Sequence, residues 1–389
     1  MRDDVDLTVV THVRNREALQ DDLLVSRAQV VFIDNEWIAR PLHRISESLR
    51  RGGLSWTLIM TLSWPAYIAF EHRAWRRFGY DLAHGRFDLI HRLTPVSPTL
   101  GSPLASLSKV PMVLGPLNGG LPWPREFPGM ARQENEWLVP FRHFHRTLPY
   151  YRSTYRALAA VISGSEHTAT EVPDWFCGLR EYLPENGIDQ ARFPLPFQWT
   201  PPQELFRFIT IGRLVPYKGI DLVLEAMGRS SRLADCEFHI LGDGPMRSAL
   251  ETQAVRLGLA QRVHFHGWVD HRELFRELRK AQAFVFPSLR EFGGAVVLEA
   301  MSQALPCIIV DYGGPGEHVT EETGFALPMA DRSTLVANLI HAMESLVADN
   351  ELCARLGKAG ARRVADLYTW SAKAESLVGI YRRILNVMS

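Results

Sequence analysis

Apolar runs of strand length recur along this chain, and stretches with helical spacing follow many of them. In the first half such runs lie at residues 7–13, 29–33, 87–91, 111–115, 160–164 and 181–184, with helical patterns at 38–51, 97–108 and 165–175. A second series covers 207–211, 237–241, 263–266, 283–287 and 306–310. The alternation predicts α/β architecture with parallel strands and crossover helices. A proline-rich segment at 193–202 interrupts the rhythm and serves as the linker between two doubly wound halves. In such folds ligands bind beyond the carboxyl ends of the strands, so the cleft between the halves is the expected site.

Residues 54–70 carry no formal charge and contain Pro65; the run falls just short of spanning length and predicts a buried helix or helix pair. Residues 71–80 then mix bases with aromatics, as does the stretch at 137–156 with Phe141, Arg142, Phe144, Arg146, Tyr150, Tyr151 and Arg152. Helices with one wet basic face account for this pattern, and so does peripheral docking on the anionic inner face of a membrane.

Composition narrows the function. The 389 residues hold 43 basic and 43 acidic side chains, so nothing marks a bulk nucleic-acid binder. Cys177, Cys236, Cys307 and Cys353 form neither a zinc pattern nor a disulfide framework, which suits a reduced, cytoplasmic setting. His264 and His266 alternate onto one strand face, but no acidic partner follows at suitable spacing, and no metal is expected.

The candidate chemistry centres on residues 285–301. An apolar strand leads to Glu291-Phe292-Gly293-Gly294, and a helix begins at Ala295. A helix start offers unpaired N–H groups and the positive end of a dipole, which favours a phosphate. Carboxylates do not suit a phosphate, but Glu291 and Glu299 can each accept hydrogen bonds from a vicinal diol such as a ribose or hexose displays. Earlier, Gly212-Arg213 and Lys218-Gly219 bracket a loop whose two cations can neutralise a diphosphate. Gly242-Asp243-Gly244-Pro245 is a tight turn after a strand, and Gly267-Trp268-Val269 ends the next one.

Together these motifs resemble family 4 retaining glycosyltransferases, whose two Rossmann-like domains face each other across a cleft in the arrangement called GT-B. Glu291 and Glu299 match the E-x7-E signature, which implies that Glu291 holds the transferred sugar and Glu299 the ribose. The loop from Gly212 to Gly219 matches G-R-x-x-x-x-K-G, and the resemblance gives Arg213 and Lys218 a catalytic role on the diphosphate. It gives Gly242 and Gly244 a role in shaping the donor pocket, and Trp268 and Val269 contact with the base; Phe292, Gly293, Gly294 and Ala295 form the phosphate turn. Asn186-Gly187-Ile188-Asp189 resembles the segment before the family's linker, and Leu114 to Trp123, with Asn118, resembles a loop of the acceptor side. The resemblance implies an acceptor-side domain at 1–195, a nucleotide-sugar domain at 196–370 and a terminal helix at 371–389 that crosses back to the first domain.

The first half matches less closely. Where many members carry H-x-H, this chain has His91 and then Leu93, so His91 is a candidate either for the active site or for packing. The family's opening strand and Gly-rich loop are missing ahead of residue 7. The expected function is transfer of a sugar from a nucleotide-diphosphate sugar to a glycan, lipid-linked or small-molecule acceptor, without a metal. A catalytically silent sugar-nucleotide binder and a hydrolysing epimerase remain as alternatives.

Overall fold

A computed structural model of the chain describes residues 5–20, 28–51, 56–130, 144–195 and 198–388. Its strands fall into three sheets in which every ladder pair is parallel. Strands β1 (Thr8–His12) and β2 (Gln29–Ile33) pair with each other. Strands β3 (Ile90–Arg92), β4 (Met112–Leu117), β5 (Leu158–Ser163) and β6 (Leu179–Tyr182) form a four-stranded sheet in sequential order.

The largest sheet contains β7 (Arg207–Ile211), β8 (Glu237–Leu241), β9 (Val263–Gly267), β10 (Ala283–Phe286), β11 (Cys307–Asp311) and β12 (Gly324–Pro328). Its spatial order is β12-β11-β10-β7-β8-β9, so the connection direction reverses between β7 and β10. That is the topological switch point at which doubly wound sheets bind ligands. Both faces are buried: Phe208, Phe238, Ile240, Val285 and Ile308 enter one core, while Ile209, Ile211, Phe284, Phe286 and Ile309 enter the other. This two-sided burial explains why the strands read as continuous apolar runs and not as alternating ones.

The C-terminal helix Trp370–Met388 returns to the four-stranded sheet. Its Ile380 and Ile384 pack with Val113, Ala160 and Ile162 in one buried cluster. Arg383 pairs with Glu181 of β6 at 2.8 Å, fixing the helix against the sheet edge.

Three local expectations change. Strand β12, Gly-Phe-Ala-Leu-Pro, escapes the pattern because it is a short edge strand that begins at a glycine and ends at a proline. The helix expected at 97–108 contracts to Pro103–Leu107, since Ser102 caps it and Pro103 occupies its first position. The uncharged run continues as one helix, Trp56–Ala83, through Pro65, with residues 64–70 half-buried instead of fully buried. Further along this helix Glu71, Ala74, Phe78 and Leu82 are buried while Arg73, Arg76 and Arg77 are exposed, a one-sided pattern at helical spacing. Among the described residues no helix is long and apolar enough to cross a membrane. Of the second aromatic and basic stretch, residues 137–143 lie outside the described residues; Tyr151 is buried at the start of the helix Tyr151–Ala157.

Candidate functional site at the switch point

Three loops leave the carboxyl ends of β7, β8 and β9 and are laced together by their backbones. Gly212 N–H donates to the Leu241 carbonyl at 2.9 Å, Leu214 N–H to the Asp243 carbonyl at 3.0 Å, and Gly242 N–H to the Gly267 carbonyl at 2.7 Å. At Gly242 the backbone has φ +143°, and a Cβ there would run into the Gly212 carbonyl, so the turn requires glycine. A Cβ at Gly244 would likewise run into the Leu214 backbone, at its carbonyl oxygen. The glycines of this region therefore serve a close approach of backbone to backbone.

The Gly212–Gly219 loop carries both candidate cations. Lys218, on the short turn Pro216–Lys218, forms an ion pair with Glu291, and its Nζ lies 4.7 Å from the centre of the Phe286 ring. Arg213 is exposed, and among the described residues no hydrogen bond or ion pair holds its guanidinium. One cation is thus neutralised by the carboxylate beside it, and the other is free to meet an anion.

After β10 the chain passes Glu291 and reaches Gly294, whose φ of +60° starts the helix Ala295–Ser302. Among the described residues no side chain caps this helix, and Val297 N–H is taken by the Gly294 carbonyl, so the N–H groups of Ala295 and Val296 keep their capacity for an anion. The turn is braced from behind by His318, whose Nε2–H donates to the Gly293 carbonyl at 2.7 Å. Burial pushes the His318 value down to about 4, so this imidazole is neutral at neutral pH and can act as both donor and acceptor.

Glu299, one turn into the helix, is 7% exposed. Its Oε1 accepts from His271 Nε2 at 2.8 Å, while its Oε2 is buried and among the described residues has no hydrogen-bond partner. An orphaned buried carboxylate oxygen is costly, and it marks a place where a hydroxyl donor fits. Trp268 stands 81% exposed at the end of β9, next to the half-buried Val269.

The first half closes over this crevice. Arg290 Nε donates to the Leu121 carbonyl at 2.9 Å, and its guanidinium lies 4.4 Å from the Trp123 ring centre. Tyr312 donates to the Pro122 carbonyl at 2.8 Å. Glu317 accepts from Glu166 N–H at 2.9 Å and from the Tyr182 hydroxyl at 2.7 Å. Asn118 Nδ2 donates to Glu185 Oε1 at 2.7 Å, and that carboxylate lies against Gly293, where an added Cβ would meet it at 2.9 Å. Burial raises the Glu185 value, and Glu291 adds to the rise, whereas Asn118 and Lys373 oppose it.

Residues 192–363 match the model of the family described as glycosyl transferases group 1. Over these residues the chain is similar to that family. An alpha-D-kanosaminyltransferase of Streptomyces kanamyceticus is 32% identical over 176 residues, 45% of each chain. The sulfoquinovosyl transferase SQD2 of Arabidopsis thaliana is 26% identical over 306 residues, 75% of this chain and 56% of that protein. The chain spans about half the length of the curated relatives it matches, 45% for the kanosaminyltransferase and 47% for a glycogen synthase of Mycobacterium tuberculosis. Over nearly its whole length it shares the GT-B fold. HepE of Anabaena, solved in complex with UDP, superposes with a TM-score of 0.62 at 16% identity, covering 97% of this chain and all of that one. Sucrose-phosphate synthase of Thermosynechococcus elongatus gives 0.61 at 22% identity over 84% and 79%.

Within the matched residues the structure brings Arg213, Lys218, Glu291 and the turn through Phe292, Gly293, Gly294 and Ala295 to one end of the sheet, with Glu299 behind them. His91 is differently placed: Nδ1 accepts from the Tyr381 hydroxyl at 2.5 Å, and Nε2 faces the Gly115 carbonyl at 2.7 Å. Burial lowers its value to about 4, so it stays neutral and ties the terminal helix to β3 and β4. Glu185, Arg290, His271 and His318 carried no sequence signal as site residues. His271 and His318 act through Glu299 and Gly293, and each lies tens of residues from its partner.

Proposed function

We propose that this protein is a retaining glycosyltransferase that moves a hexose or similar sugar from a nucleoside-diphosphate donor to an acceptor hydroxyl in glycan or glycoconjugate biosynthesis. One convergence carries the reading: two cations, an uncapped helix start and a buried carboxylate with an open oxygen meet at the switch point of the sheet. Each suits one part of the donor. The diphosphate lies against Arg213, Lys218 and the first N–H groups of Ala295–Ser302; a ribose hydroxyl donates to Glu299 Oε2; Glu291 accepts from hydroxyls of the transferred sugar. The GT-B neighbour HepE, solved with UDP, is consistent with a nucleotide in this crevice.

In the absence of donor, Lys218 and Glu291 neutralise each other. Donor binding divides the pair, giving the phosphate to Lys218 and the sugar hydroxyls to Glu291. As the bond from the sugar to the phosphate oxygen breaks, negative charge grows on the leaving group, and Arg213 and Lys218 hold that charge more strongly than they hold the intact donor. The acceptor oxygen bonds to the same carbon on the face the phosphate leaves, and the phosphate takes the acceptor proton. On this reading the two side chains and the helix dipole carry the charge without a metal. Asn118 and Glu185, across the crevice, lie on the acceptor side. For a lipid-linked acceptor the exposed Arg73, Arg76 and Arg77 face provides peripheral contact with an anionic membrane surface.

The test is a thermal-shift and calorimetric panel of nucleotide sugars, followed by product analysis with the donor that binds. Glycoside formation supports the proposal. Binding without turnover, or release of a changed free sugar, replaces it with a silent binder or an epimerase.

A further inference from the structure

A second cluster of chemistry-bearing side chains lies on β8 and β9 themselves, back from the carboxyl ends whose loops line the crevice. The parallel register places His239 of β8 directly beside His264 of β9. Glu237 precedes His239 by two residues and His266 follows His264 by two, so the strand period of two turns all four to one face. The rings of His239 and His264 have centroids 4.7 Å apart, and those of His239 and His266 are 5.1 Å apart. Glu237 Oε2 lies 3.2 Å from His239 Nε2, and Glu237 Oε1 lies 3.7 Å from His264 Nε2. One ligand atom from each of Glu237, His239 and His264 falls within 4.8 Å of the others.

We propose that Glu237, His239 and His264 bind a divalent cation of the zinc type, with a water as fourth ligand, and that the ion clasps the edge strand β9 to β8. Two imidazoles with one carboxylate form a donor set that suits zinc and its transition-metal neighbours, not the oxygen-seeking magnesium or calcium. Zinc bonds to nitrogen and oxygen of about 2.0–2.2 Å place tetrahedral ligands a little over 3 Å apart, so side-chain rotations close the present spacing. The carboxylate is already oriented: Arg207 donates to Glu237 Oε2 from Nε at 3.2 Å and from Nη2 at 3.1 Å, which leaves Oε1 facing His264. Such outer contacts are what fix a ligating carboxylate. His264, 39% exposed on the outermost strand, gives the ion a way in from solvent. On the far side of the His239 ring, Nδ1 and His266 Nε2 share a hydrogen bond at 2.9 Å, which orients the imidazole with Nε2 toward Glu237.

The sequence hid this site because the acid does not accompany His264 and His266 on their own strand; it comes from β8, brought alongside by the sheet. Glu237 starts its strand, whereas the crevice lies at the carboxyl ends, so the ion acts on the strand pair and takes no part in the reaction.

The experiment uses the full chain without an affinity tag, stripped with chelator and dialysed. Titration with zinc chloride is expected to show one saturable equivalent and to raise the melting temperature, while magnesium chloride does neither. His264→Gln and Glu237→Gln, at positions exposed enough to tolerate the change, each weaken zinc binding by at least about tenfold. X-ray absorption of the zinc-loaded chain then shows imidazole scattering with ligands at about 2.0–2.1 Å. No saturable zinc binding overturns the site. So does binding that both variants leave intact, or a sulfur shell near about 2.3 Å that places the ion on cysteine.

Discussion

Glu71 and Glu299 are both buried glutamates on helices, at 4% and 7% exposure, yet their surroundings differ. Around Glu71 every acceptor position of consequence is taken: Tyr67 donates to Oε1, Ser102 Oγ to Oε2 at 2.6 Å, and Leu104 N–H to Oε2 at 3.1 Å, with Arg92 Nη1 3.9 Å away. Glu299 has His271 on one oxygen and, among the described residues, no partner on the other. A buried carboxylate whose bonds are all internal holds structure together, whereas one left half-satisfied has its missing donor elsewhere. The contrast is between these two carboxylates: Glu71 is closed on donors of its own half, and Glu299 opens on the crevice.

The largest expected effect strikes the closed side. Glu71→Ala removes three hydrogen bonds accepted by two oxygens and leaves Arg92, 7% exposed, buried without its carboxylate. Among the described residues Nε and Nη2 of Arg92 already lack partners, so little remains to compensate the charge. Breaking a buried pair in this way costs about 3–5 kcal/mol. Denaturant melts should show that loss, while the folded variant keeps its affinity for nucleotide sugar. A stability change under about 1 kcal/mol would erase the contrast between the two glutamates.

The next effect falls on catalysis. If Arg213 and Lys218 meet charge that grows on the leaving phosphate, Arg213→Ala or Lys218→Ala lowers kcat by about a hundredfold, with a smaller change in KM. Chelator should leave the initial rate unchanged, even where stripping an ion from the β8–β9 edge lowers the melting temperature. Full activity in the double variant, or inhibition by chelator that magnesium reverses, shows that the charge is handled elsewhere.

Much of this was legible in the chain. Two-sided burial made the large-sheet strands continuous apolar runs, and the Gly212–Gly219 loop and the turn before Ala295 carry residue types that declare their chemistry locally. What stayed hidden depends on contacts between distant segments. Asn118 and Glu185 are 67 residues apart, His271 and Glu299 are 28 apart, and His239 meets His266 only through sheet order. The Lys218–Glu291 pair was hidden as well, because each side chain had been read alone as facing a ligand. Nothing in the sequence signals that the close backbone approach at Gly242 and Gly244, expected to shape a donor pocket, is to another loop of the protein.

A smaller effect sharpens the open side. Glu299→Ala should weaken nucleotide and nucleotide-sugar binding alike by about 1–3 kcal/mol, as expected when a charged acceptor is lost, and leave stability nearly unchanged or improved. Glu291→Ala should reduce transfer while leaving affinity for the bare nucleoside diphosphate nearly intact. Calorimetry on both variants separates the ribose site from the sugar site. Collapse of bare-nucleotide binding in the Glu291 variant exchanges the two roles.

The smallest effect is expected at His91, which belongs with the closed side although its strand points toward the crevice. Burial holds its folded-state value at about 4, below the ordinary 6.5, so as pH falls an unfolded chain takes the proton first. The stability that neutral His91 contributes is therefore complete above about 6.5 and is lost as pH falls toward 4. Replacing it by Asn removes the contact with Tyr381 and lowers the melting temperature at neutral pH. The decline of melting temperature between pH 6.5 and 4 becomes shallower, because one group that would charge is gone. Catalysis should register almost none of this: below the melting range, wild type and His91→Asn share the same shape of kcat/KM against pH from 5 to 8, with rates within about twofold. A lost limb in that profile, or a fall of a hundredfold, makes His91 an active-site group and moves it across the boundary between the two kinds of burial.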